Sequence, residues 1–234
     1  MALPTLNAAK YRTVIPSLNQ EIEYRPYLVK EEKILMIAME SKDQSQILRA
    51  LKDVIKACVY DDINVNKLAM FDLEALFLQL RGKSVGESTE IKIKCKHCEA
   101  ENHREINFED INMPVVTNKN NVIALTDEIG VTLSYPSVGG LEKQDQKASS
   151  VEQAMNMIVD CIESIYDANA VYSAKDEGTK AVKEFVDSLN SAQFKKLTAY
   201  FEEMPAVTYD MNFDCSSCGE TNEMELRGFD NFFG

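Results

Sequence analysis

Two Cys-x-x-Cys pairs constrain this chain more than any other feature. Cys95 and Cys98 lie in IKIKCKHCEAENHREINF, between two runs that read as the arms of a hairpin. Cys215 and Cys218 lie in DMNFDCSSCGETNEMEL, which repeats the plan of strand, turn and strand. Such a pair is either complete in itself, as a redox dithiol, or half of a metal site. A thioredoxin-type pair opens a helix after a strand, where the helix dipole lowers its pKa. These pairs precede polar turns and returning strands instead. Gly219 directly follows the second pair and suits a knuckle, in which backbone amides fold back toward a thiolate and φ is positive. Two knuckles face to face supply four thiolates at tetrahedral angles, the closed arrangement that Zn²⁺ prefers in structural sites. The reading is a structural zinc site on Cys95, Cys98, Cys215 and Cys218. A cysteine-ligated iron–sulfur cluster on the same ligands is the runner-up.

The spacing between the pairs is unusual. Cys98 and Cys215 are 117 positions apart, whereas zinc ribbons usually separate their pairs by about 15–20 residues. The matching knuckle context carries the reading, not the spacing. On that basis the helical second half is an insertion between two halves of one ribbon. Closing a loop of this length is worth roughly 4–5 kcal/mol on the chain-entropy account of cross-links. His97 and His103 flank the first pair and are alternative ligands in principle; they are expected to be solvent-facing loop residues. Cys58 and Cys161 fall on apolar faces of predicted helices and read as buried, inert thiols.

Around the knuckles the hydrophobic periodicity changes along the chain. Residues 1–29, with Pro4, Pro16 and Pro26, read as an N-terminal extended arm with a strand near 21–24. Residues 30–86 read as a helical region: KEEKILMIAMES, then a helix capped by Ser41 or Asp43 with an apolar stripe at Ile47, Leu48, Leu51, Val54, Ile55 and Cys58. NKLAMFDLEALFLQLRG follows, apolar round its circumference, and predicts a core helix. Period-two alternation begins after Gly86. Residues 87–136 and 205–234 form the predicted β region carrying the paired knuckles, with further strands at 122–125 and 131–135. Residues 137–204 read as a helical insertion, with helices at 141–148, 151–166, 180–189 and 192–203 and an exposed loop at 167–178. Ser191 is the expected cap of the last helix. The fold class predicted is α+β, mostly helical, with two β-hairpin zinc knuckles forming a discontinuous zinc-ribbon-like unit.

The chain has 38 acidic against 25 basic side chains, a formal charge of −13, which repels phosphate backbones unless a basic patch is set apart. The basic clusters at Lys92–Lys96 and Lys195–Lys196 are both flanked by acids, so nucleic acid is not the expected partner. No apolar run approaches the roughly 18 residues of a membrane span. The first residues have neither a basic n-region nor an apolar h-region, so no signal peptide is expected and the chain reads as cytosolic where it is made. No H-E-x-x-H, G-x-S-x-G, Walker loop or G-x-G-x-x-G occurs, and a non-enzymatic role is expected. The third helix and the aromatic tail (Phe229, Phe232, Phe233) are the candidate contact surfaces.

Several stretches together resemble the baseplate hub protein family of T4-type contractile-tailed phages: LPTLNAAKY, EIEYRPYLVKEEKILMIAMES, FDLEALFLQLRGKSVGE and IALTDEIGVTLSYPS. The resemblance covers roughly the first 140 residues well and the helical region more loosely. It implies a baseplate hub component, or an assembly factor acting on the hub and the tape measure protein. It also implies other phage tail proteins as partners, with the host cytoplasm during assembly and the virion tail baseplate as the two locations. The rival class is a zinc-ribbon regulatory protein that binds nucleic acid or polymerase.

Overall fold

A computed structural model describes residues 8–116, 121–143 and 148–228. The expected aromatic tail lies outside the described residues, as do residues 144–147 of the predicted helix at 141–148. The architecture is α+β and divides into two compact units. The first comprises Met1–Val65, Phe71–Val115 and Pro205–Gly234; the second comprises Asn66–Met70 and Val116–Met204. No helix among the described residues is long and apolar enough to cross a membrane.

The first unit opens not with an extended arm but with a hairpin, β1 (Tyr11–Ile15) against β2 (Gln20–Tyr24), with Tyr11 opposite Tyr24 and Ile15 opposite Gln20. Ile15, Ile22 and Tyr24 are buried. Its turn is fixed from a distance: the fully buried Asp72 accepts hydrogen bonds from the Ser17 amide (2.8 Å) and hydroxyl (2.6 Å). Prolines on either side hid this strand, whose partner lies beyond Pro16.

Helices α1 (Val29–Ser41) and α2 (Gln44–Cys58) follow as a pair. Lys42, in the left-handed region at φ 55°, ends α1. Asp43, the second of the two expected caps, starts α2 by accepting from the Ser45 and Gln46 amides. The Gln46 and Ser45 side chains, together with those amides, hold its carboxyl at about 2. The predicted stripe of α2 faces inward, ending on Cys58, whose thiol burial pushes up to about 11. Helix α3 (Met70–Ser84) runs two residues past the expected stop at Gly82. It buries Phe71, Leu73, Ala75, Leu76, Phe77, Leu78 and Leu80, as a core helix should.

Two further hairpins complete this unit: β3 (Ser88–Lys94) with β4 (Glu101–Asn107), and β9 (Thr208–Asp214) with β10 (Thr221–Arg227). Ala75 and Leu78 of α3 pack with Ile91, Ile93 and Ile106 of the first hairpin and Met211, Phe213 and Leu226 of the second. Reciprocal amide–carbonyl bonds join Asn112 and Thr208 at 2.8 and 3.1 Å.

The second unit corrects the reading of a purely helical insertion. It holds a four-stranded antiparallel sheet in the order β5 (Val122–Ala124), β6 (Gly130–Leu133), β7 (Ile162–Tyr166), β8 (Val171–Ser173). The strands at 122–135, expected with the knuckles, pair here instead. The helix predicted at 151–166 is α5 (Ser150–Cys161) running directly into β7. Apolar spacing continues across Cys161–Ile162, so periodicity alone could not divide the two; pairing with β6 decides. Gly130 is required where β6 crosses β7: a Cβ there would collide with the Tyr166 ring and hydroxyl and with the Ile123 carbonyl.

The short α4 (Val138–Glu142) and α6 (Ala174–Glu177), with α7 (Thr179–Asp187) and α8 (Ser191–Glu202), complete the second unit. Asn190, not Ser191, caps α8 in a reciprocal box with Gln193. Lys196 of α8 donates to the Ala124 and Leu125 carbonyls at 3.0 and 3.1 Å. The core gathers Val131, Leu133, Ile158, Ile162, Val182, Val186 and Leu197. Burial pushes the Cys161 thiol up to about 12.

One buried ion pair organises the start of α1. Arg25 donates to Glu31 at 2.9 Å, and the second Glu31 oxygen accepts from the Leu28 amide at 2.9 Å. Burial raises the Glu31 carboxyl, but the bonds from Arg25 and Leu28 outweigh it and hold it below its ordinary 4.5. A depressed carboxyl contributes stability that is full above the unfolded value and is lost as pH falls through the folded one. Glu31→Gln should therefore cost about 1–3 kcal/mol at pH 7. Urea unfolding followed by circular dichroism measures it. The gap to wild type should hold down to about pH 4.5 and close below that; a gap independent of pH would contradict this account.

Candidate metal centre

The two knuckles are built alike, position by position at one constant offset. Cys95 donates its amide to Ala100 and Cys215 to Glu220, both at 2.9 Å. The Glu99 amide returns to the Cys95 carbonyl (3.0 Å) and the Gly219 amide to Cys215 (2.9 Å). The His97 and Ser217 amides each point at the sulfur two residues earlier, at 3.4 Å. The chain closes each knuckle through a positive φ, 60° at Glu99 and 75° at Gly219. Glycine takes this conformation freely, while glutamate takes it at a cost.

All four sulfurs lie within 4.8 Å of one another. Across the seam, Cys95 is 3.8 Å from Cys218 and Cys98 is 3.6 Å from Cys215. Four thiolates about 2.3 Å from a tetrahedral zinc would be about 3.8 Å apart, whereas a disulfide needs about 2.05 Å. The four clustered cysteines could hold a metal ion, and the space they enclose suits a single ion. Cys95 and Cys215 are buried; Cys98 and Cys218 are exposed. His97 and His103 are exposed, and His103 pairs with Glu90 at 2.9 Å, away from the sulfurs. Cys58 and Cys161 are buried elsewhere.

The thiols do not share one acidity. The Cys218 and Ser217 amides bring Cys215 down to about 6. For Cys218 the Glu220 amide pulls down, but partial desolvation and the three neighbouring thiols push harder, to about 12. Burial raises Cys95, and amide bonds from His97 and Cys98 with the Asn222 side chain outweigh it, leaving it low. Once one sulfur ionises, its neighbours resist. A bound cation removes that conflict and favours all four thiolates.

Beneath the sulfurs sit two buried asparagine side chains. Asn102 and Asn222 are 2% and 1% exposed. The Asn102 oxygen accepts from the Ser216 amide at 2.9 Å, and its nitrogen donates to Cys215 at 3.6 Å. Asn222 does the same in reverse, accepting from the Lys96 amide at 2.8 Å and donating to Cys95 at 3.4 Å. Each asparagine thus binds the backbone and the sulfur of the opposite knuckle. The signal was available: both lie four residues after the second cysteine of their pair. Arg104 adds a further cross-tie, donating to the Asp214 carbonyl at 2.7 Å and lying 4.9 Å over the Phe213 ring.

A family model described as T4 bacteriophage base plate protein matches residues 8–234. No curated protein and no solved structure matches the chain.

Substituting Asn102 or Asn222 by alanine removes a sulfur donor and leaves a part-buried amide of the opposite knuckle without its acceptor. Partners of this kind typically tune metal affinity 10–100-fold. Each variant should lose metal to a competing chelator at a concentration about 10–100-fold lower than wild type does, while circular dichroism stays near native. Unchanged metal retention would mean that the asparagines serve the backbone alone.

Proposed function

The chain belongs to the T4 bacteriophage base plate protein family, and from that premise we propose that it is a non-enzymatic tail protein of a contractile-tailed phage. It acts as a baseplate hub component, or as a factor that assembles the hub and the tape measure protein, through protein–protein contacts. The family match over residues 8–234 carries this reading. The acidic balance agrees with it. Around the knuckles Lys92, Lys94 and Lys96 are interleaved with Glu90, Glu99, Glu101, Asp214, Glu220 and Glu223, which does not favour a phosphate backbone. A zinc-ribbon regulator of nucleic acid or polymerase needs a basic surface at that place.

The four cysteines form a structural zinc site in this reading. Cys95, Cys98, Cys215 and Cys218 would be its ligands, and the metal would supply no chemistry beyond cross-linking. Its contribution is to bind two hairpins that the sequence separates by 117 positions. On the entropy model that cross-link stabilises by roughly 4–5 kcal/mol. A single iron fits the same four thiolates, and metal analysis separates the two.

Protein purified without added metal should carry about one zinc per chain by elemental analysis. Cys215→Ser should lose the metal and lower the unfolding temperature. An unaltered unfolding temperature in metal-free wild type would remove the cross-linking role. For the assembly role, quantitative mass spectrometry of purified virions separates the two forms: stoichiometric presence marks a hub subunit, and presence confined to assembly intermediates marks an assembly factor. Absence from both virions and every tail intermediate would sink the proposal.

A further inference from the structure

The outer face of helix α1 carries exposed apolar residues on either side of a ridge made by Lys33 and Glu40. Ile34, Met36, Ile37 and Met39 are 46%, 58%, 58% and 46% exposed, while its buried side is limited to Glu31, Leu35 and Ala38. Single exposed apolar residues are ordinary, but four on three turns of one helix are not. Beside Met36 and Met39 the face continues into a groove of about 770 Å³ within the first unit, lined also by Tyr27, Leu51 and Phe77. Methionines at such a place give a surface that repacks readily around a partner.

The order of residues along α1 indicates what covers this face. KILMIAME, from Lys33 to Glu40, has matching chemistry when read from either end about a point between Met36 and Ile37. Lys33 is matched by Glu40, Ile34 by Met39, Leu35 by Ala38 and Met36 by Ile37. A two-fold axis through that point lays a second copy of α1 antiparallel to the first. It brings Met36 and Ile37 of the two copies together and each Lys33 to the Glu40 of the other copy, while Leu35 and Ala38 stay on the buried side. Helical spacing puts Lys33, Met36, Ile37 and Glu40 on one side of the helix. Lys33 and Glu40 are exposed, and neither has an ion-pair partner among the described residues. The charge of the whole chain points to the same place. Against a total of −13, the segment from Val29 to Lys42 balances Lys30, Lys33 and Lys42 with Glu31, Glu32 and Glu40. The segment itself adds no net repulsion between two copies.

We propose that the outer face of α1 pairs with the same face of a second copy of this chain, in an antiparallel contact centred between Met36 and Ile37. An unrelated partner would need no such symmetry in α1; self-pairing does. A contact of one helix on another is at the small end of interface sizes, so the dimer should be reversible, with a dissociation constant of roughly 1–100 µM. This pairing rests on neither the metal site nor the assembly role.

Sedimentation equilibrium of the full chain over about 1–500 µM spans that range. Wild type should pass from monomer to dimer. Ile37→Glu should raise the dissociation constant about 30-fold or more, because the change falls next to the axis and occurs twice. Lys33→Glu and Glu40→Lys should each raise it about 10-fold by opposing like charges, and the two combined should return it to within about threefold of wild type. All these positions are exposed, and circular dichroism checks that each variant remains folded. A wild type that stays monomeric throughout overturns the proposal, as does a dimer indifferent to Ile37→Glu or a double variant that fails to recover. A monomeric wild type that binds a purified tail protein through Ile37 would assign the face to that protein and likewise overturn self-pairing.

Discussion

Asn102 and Asn222 set the register on which the first unit depends. Each reaches across the seam between hairpins and satisfies one amide and one sulfur of the other. A shift of either hairpin by one residue would reverse the faces of its strands and leave the two buried asparagine side chains without their partners. Each unsatisfied group costs about 1–3 kcal/mol, so the alternative registers are excluded by energy as well as by shape. With the register fixed, Ile91, Ile93 and Ile106 meet Met211, Phe213 and Leu226 over Ala75 and Leu78 of α3. The sulfurs at the top of the hairpins and the apolar cluster below them are two consequences of one alignment.

The second unit is organised differently. Its four strands follow one another in sheet order, with α4 and α5 between β6 and β7, and α5 and α8 each begin with a reciprocal cap. Nearly all of it comes from the one stretch Val116–Met204, which makes loop closure less costly than in the first unit. The first unit needs segments from both ends of the chain before its cluster exists. Cooperative stability in that unit therefore leans on the cross-ties at the knuckles, the role a tightly held ion suits in a protein whose family builds a tail structure.

How much of this was legible depended on whether a residue type carries one meaning. Paired cysteines in polar turns have few uses, and all four ligand candidates were readable without any structure. The helices with one-sided stripes, α2 above all, were equally plain. Asn102 and Asn222 escaped because asparagine is common in turns, and only their shared place four residues after each pair sets them apart from solvent-facing amides. Strand β7 escaped because Ile162 and Ile165 extend the spacing of α5, and only pairing with β6 makes them strand. Strand β1 was obscured by Pro16, which sits in the hairpin turn and looked like a break. In each case the missing information was a partner distant in sequence.

The placement of the cysteines also sets a timetable. A ribosome adding about 5–20 residues per second releases Cys95 and Cys98 roughly 6–23 seconds before the pair that completes their cluster, given the 117 positions from Cys98 to Cys215. During that interval the first knuckle has no opposite half, and Asn102 has neither the amide nor the sulfur it will bind. The second unit, whose strands and helices emerge meanwhile, can assemble from its own contacts. The last hairpin arrives after that, so the first unit is finished only once the second has been made in full.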